Sequence, residues 1–200
     1  MKRAGVLLLL AFASWAVFII CSRLISPFTA VAQSGGCPTQ APKTTQQWPA
    51  GTTVYYDVSG LNSAEKTAFV GADGNGGAFA AWNAENQANG SNVNFQPASS
   101  SNPATYVITD TQGASAPGTT TPCSPTASQP AFSCPGVSTS NPANQVSGVT
   151  VINQNATIPA GSPQSGSQVI QPSAANYPAF LLSLALHEIG HTMGGWPILA

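Results

Sequence analysis

The sequence predicts an α/β sandwich of the α+β kind, in which a small twisted mixed sheet packs on two long helices. Three observations carry that reading. Short β-branched and aromatic runs recur between Trp48 and Ile158, each bounded by Gly, Pro, Asn or Ser. A capping box opens a helical stretch directly after the first of them. A Leu-rich run near the end of the chain, from Tyr177 to Leu186, has strong helix propensity and follows a long irregular segment.

The elements follow in order. Thr52-Thr53-Val54-Tyr55-Tyr56-Asp57-Val58 reads as a strand that Ser59-Gly60 ends. In Asn62-Ser63-Ala64-Glu65 an N-cap side chain is followed three residues later by a Glu able to satisfy the N-cap amide, so a helix starts here. Phe69, Phe79 and Trp82 are its expected core contacts. Asp73-Gly74-Asn75-Gly76-Gly77 interrupts or strains that helix; it lacks the alternating ligands and closing Glu of a calcium loop, and reads as a flexible insertion. The helix resumes through Ala78–Glu85 and stops near Asn89-Gly90. Val93–Gln96 and Thr105–Thr109 are the next strands. Gln112 to Asn144 is a Pro/Ser/Thr/Gly-rich excursion, Val146–Ile158 the last clear strand, and Pro159–Ser173 a second loop. In the final helix Pro178 suits a first-turn position.

The segment before this domain is an export signal. Lys2 and Arg3 form a positive n-region, Ala4 to Cys21 an apolar run, and Ala30-Val31-Ala32 a small-x-small cleavage site. A signal peptide over residues 1–32, cleaved after Ala32, implies a secreted or periplasmic protein. Uncleaved, the same run is long enough to just span a bilayer, which is the only membrane association expected. Residues 33–47 form a linker, and 48–200 the folded domain.

Cleavage leaves Lys43 and Lys66 as the only cations against six acidic residues, and charged residues make up only 6% of the 200-residue chain. No basic patch is available to meet phosphates, which argues against nucleic acid as a partner. The apolar content excludes the disordered class. In an oxidising compartment Cys123 and Cys134 could close a short loop, leaving Cys37 odd. A monomer is expected.

The chain's only two histidines, His187 and His191, lie four positions apart on the final helix, one turn apart on one face. That is the spacing at which two imidazoles hold one zinc ion. Glu188 is rotated about 100° from His187, off the ligand face but placed to take a proton from water on the metal. The competing reading is a chance match on a core helix. The scarcity of histidine and its confinement to this motif favour the zinc reading, with His187 and His191 as ligands and Glu188 as catalytic base.

The stretch from Trp48 to Gly194 resembles the metzincin zinc metallopeptidases, and their matrixin-like secreted bacterial members in particular. The resemblance rests on Tyr56-Asp57-Val58, Ala78-Phe79-Ala80-Ala81-Trp82-Asn83, Val93-Asn94-Phe95 and His187-Glu188-x-x-His191-x-x-Gly194. It implies a metzincin-like fold and hydrolysis of peptide bonds in a protein or peptide substrate by zinc-activated water. It also implies a third histidine ligand three residues after Gly194, where this chain has Pro197, and a C-terminal subdomain with a Met-bearing turn that is missing here. The expected function is therefore a secreted zinc metalloendopeptidase, weakened or inactive for want of that ligand. The alternative is an exported non-catalytic binding or surface domain that retains the fold.

Overall fold

The computed structural model describes residues 46–157 and 165–193. The expected signal peptide, most of the linker, Cys37, Gly194 and Pro197 lie outside the described residues.

Strand β1 (Thr53–Gly60) alternates as its pattern requires, with Val54 and Tyr56 buried on one face. Helix α1 (Ser63–Val70) begins at the expected capping box. Asn62 Oδ1 accepts from the Ala64 and Glu65 amides at 3.0 Å, and Glu65 Oε2 accepts from the Asn62 amide at 3.2 Å.

The first of the two expected long helices is in fact a pair. α1 stops at Val70, and α2 (Gly77–Ala88) starts only after a turn. The glycine segment is a close-packed turn, not a loose insertion: the Gly76 amide donates to the Val70 carbonyl at 2.8 Å, and Asp73 Oδ1 accepts from the Asn75 amide at 3.0 Å. Gly77 has φ +67°, and a Cβ there would lie 2.6 Å from the Phe69 carbonyl carbon, so no larger residue fits. Phe69, Phe79 and Trp82 are all buried, as expected.

Strands β2 (Asn94–Pro97), β3 (Tyr106–Thr109), β4 (Ala131–Val137) and β5 (Gln145–Ile152) complete a five-stranded mixed sheet of order β2-β1-β3-β5-β4. The first four strands in that order run parallel; β4 is antiparallel to β5 and forms an edge. The fold is thus α+β, with a five-stranded sheet and three helices among the described residues. β4 lies inside the segment expected to be irregular. Its Pro135 and Gly136 disguise it, and an edge strand is where a proline can be tolerated within a sheet. β5 is shorter than expected: it ends at Ile152 because Asn153 folds the chain into a turn, its Oδ1 accepting from the Asn155 amide at 3.2 Å.

One face of the sheet carries Val54, Tyr56, Tyr106, Ile108 and Ile152 into a core shared with the helices. The other face packs Val149 and Val151 against Ala116 and Cys123 of the preceding excursion. The Cys123–Cys134 disulfide is formed and ties that excursion to β4. Gln47, at the end of the expected linker, donates to the Ala143 carbonyl at 3.1 Å and accepts from the Gln145 amide at 2.9 Å.

Helix α3 (Tyr177–Thr192), with Pro178 in its first turn, packs on α1, α2 and β4 through Leu181, Leu184, Ala185 and Ile189. Among the described residues no helix is long and apolar enough to cross a membrane.

Candidate metal centre

The last two turns of α3 carry both histidines to the floor of a cleft of about 580 Å³, opposite Phe132 and Ser133 of the edge strand and Gln145 of β5. His187 Nε2 and His191 Nε2 lie 2.9 Å apart with their rings nearly perpendicular, at 88°. Helical geometry accounts for this directly, since side chains at i and i+4 leave one face one above the other.

Two nitrogens sharing one tetrahedral zinc at about 2.0–2.1 Å are about 3.3 Å apart. The observed separation therefore needs to open by only a few tenths of an ångström. Protonation also fits. Burial, and secondarily the neighbouring His191, pulls the His187 imidazole down to about 4, and burial lowers His191. Both rings are neutral near pH 7, which metal ligation requires. Ligand atoms of His187, Glu188 and His191 all lie within 4.8 Å of one another, so this group could hold a metal ion.

Glu188 departs from a simple solvent-facing base. It is only 4% exposed and points at β4, where Ser133 Oγ donates to its Oε2 at 2.7 Å. Burial pushes its carboxyl up to about 7, against the opposing pull of the Ser133 hydrogen bond. A buried carboxyl raised to about 7 beside two lowered imidazoles in a cleft makes this cluster a candidate functional site.

Three further groups of the sheet line up behind it. Ser133 Oγ is 2.7 Å from Thr150 Oγ1, which is 2.6 Å from the Tyr106 hydroxyl. Tyr106 and Thr150 are fully buried, and burial raises the phenol well above its ordinary range. Gln145 faces this same side because the β4–β5 register shifts between Gly136 and Val137, which leaves Val146 exposed and turns Gln145 inwards. Gly148 makes room for it, since a Cβ there would lie 2.7 Å from Gln145 Nε2 and 3.2 Å from Tyr106 Cδ2. Neither end of the Gln145 amide has a hydrogen-bond partner among the described residues.

Sequence reasoning found the helix motif and missed Ser133, Thr150, Tyr106 and Gln145. The one available signal was Thr150, a hydroxyl between Val149 and Val151 in the buried stretch of β5.

No family model matches the chain, and no curated protein and no solved structure matches it either.

Proposed function

We propose that the chain is a zinc-dependent peptide hydrolase of the metzincin kind, exported and acting as a monomer on a protein or peptide substrate. The observation that carries this reading is the pairing of His187 and His191 at 2.9 Å with the buried Glu188 beside them, in a cleft bounded by a sheet edge. Zinc held by the two imidazoles supplies Lewis acidity and lowers the pKa of water to roughly 7.

The remaining chemistry belongs to the chain. Glu188 Oε2 is engaged by Ser133, which leaves Oε1 to take the proton of the attacking water and deliver it to the departing amine. Burial raises this carboxyl in the metal-free site, and a bound cation would draw it back towards the ionised form that accepts a proton. Strand β4, paired with β5 on one side, offers its outer edge to an extended peptide, with main-chain hydrogen bonds giving affinity and neighbouring pockets selectivity. Phe132, 41% exposed on that strand, gives such a peptide an apolar contact beside the cleft.

Pro197 supports a second reading. The position that the metzincin resemblance assigns to a third ligand has no donor atom, and catalytic zinc ordinarily has three protein ligands. With two, the domain is an exported binding module that holds zinc weakly.

Hydrolysis of quenched fluorescent peptides by the purified protein distinguishes the two. The hydrolase reading predicts turnover that a chelator abolishes and zinc restores. Complete inactivity with saturating zinc would leave the binding module.

A further inference from the structure

The line of hydroxyls behind Glu188 has a directional logic. Each hydroxyl carries one proton. Ser133 directs its proton at Glu188 Oε2 and therefore accepts from Thr150, and Thr150 accepts from Tyr106. All three protons then point along the line towards the carboxylate. The same Ser133 hydroxyl lies 3.3 Å from the Glu188 carbonyl oxygen, a longer alternative acceptor for its one proton, and the 2.7 Å bond to Oε2 is the one that holds the side chain.

Such a line is costly for a core. Tyr106 and Thr150 are fully buried, and Thr150 sits in a strand whose neighbours are valine. Valine has nearly the volume of threonine and carries no polar atom to satisfy, so packing alone does not call for the hydroxyl. Its evident employment is to fix Ser133.

Glu188 needs fixing because a carboxylate is itself a zinc ligand. Its ligand atom lies within 4.8 Å of those of both histidines, close enough to swing onto an ion held between them. A carboxylate bound to the metal no longer serves as base. We infer that Ser133, backed by Thr150 and Tyr106, is a positioning residue that holds Glu188 against the sheet and keeps it out of the metal's ligand set. This rests on the proposed metal centre, but not on the chain being an active hydrolase.

The inference predicts effects of opposite sign. In the 200-residue chain, Ser133→Ala releases Glu188 to join His187 and His191 as a third ligand, so zinc affinity rises by about tenfold or more while any peptide turnover falls by a similar factor. A residue that merely supports the fold lowers both together. Zinc affinity, measured by competition with a chelating dye, is the deciding readout. Ser133→Thr keeps the hydroxyl and restores the wild-type affinity. Glu188→Ala added to Ser133→Ala removes the gain, which shows that the gain runs through that carboxylate. Thr150→Val, which removes only the support behind Ser133, moves affinity the same way by less, and carries the test should Ser133→Ala fail to fold. A folded Ser133→Ala chain whose zinc affinity is unchanged or lower overturns the inference and leaves the metal centre standing. A gain in affinity in a chain that hydrolyses no peptide upholds the inference and defeats the hydrolase reading. Zinc binding by none of these proteins defeats the metal centre and this inference with it.

Discussion

The indole Nε1 of Trp82 donates to the carbonyl oxygen of Leu186 at 3.1 Å, joining α2 to the residue immediately before His187. The bond fixes where along α2 the motif-bearing turn of α3 rests. Phe79, one turn earlier on α2, stacks on Tyr56 of β1 with ring centroids 4.0 Å apart, so the site is referenced to the sheet through α2. Trp82→Phe keeps most of the buried area and loses the donor. It should destabilise the fold by about 1–2 kcal/mol in denaturant titrations and weaken zinc binding. Unchanged stability and unchanged zinc affinity would show that the bond positions nothing.

The Cys123–Cys134 disulfide anchors the strand that presents Ser133, its neighbour in sequence. It encloses ten residues and should stabilise the fold by roughly 2–3 kcal/mol over the Cys123→Ser, Cys134→Ser double variant. The peptide map of the purified protein should show this pair joined and Cys37 free. A Cys37 cross-link to either partner would contradict the assignment.

Glu188 and His187 give the metal-free chain a defined dependence on pH. The Glu188 carboxyl is raised from 4.5 to about 7, so its contribution to stability is full below pH 4.5 and lost as pH rises through about 7. His187 is lowered from 6.5 to about 4, so its contribution is full above pH 6.5 and lost as pH falls towards about 4. Above pH 6.5 only the Glu188 effect remains. In the presence of a chelator, stability should fall between pH 6.5 and 8 in the wild type and stay flat in Glu188→Gln. Parallel pH profiles for the two proteins would mean that Glu188 is not the buried acid described above.

Position 197 offers a gain of function. If the metzincin resemblance assigns the third ligand correctly, Pro197→His should raise zinc affinity by roughly tenfold or more and slow the loss of zinc to a chelator. No change in the rate of zinc loss would argue that this position does not approach the metal.

The site was legible where its chemistry is local in sequence. His187 and His191 need only helical periodicity to meet, and the capping box at Asn62 needs only three residues, so both were readable from spacing. The sheet was legible wherever a strand announced itself by β-branched runs, as at Val54–Tyr56 and Val149–Ile152. Strand β4 was not, because Pro135 and Gly136 interrupt its pattern and its pairing with β5 is a matter of tertiary context. Ser133 was hidden along with its strand: its contact with Glu188 spans 55 positions, and no local pattern encodes it. The division of the first long helix was foreshadowed by the Asp73–Gly77 segment, although only the close approach of Gly77 to the Phe69 backbone makes a turn necessary. Gln145 was unreadable for a similar reason, since a register shift rather than alternation turns it inwards.

The central claim is that His187 and His191 hold zinc while Glu188 handles the proton. The most direct measurement takes zinc content and peptide turnover together, in the wild-type chain and in Glu188→Ala, at neutral pH with excess zinc. The account predicts zinc in both proteins at comparable occupancy, slow turnover in the wild type, and none in Glu188→Ala. Turnover that persists in Glu188→Ala, or zinc occupancy that survives replacement of both histidines by alanine, would contradict it.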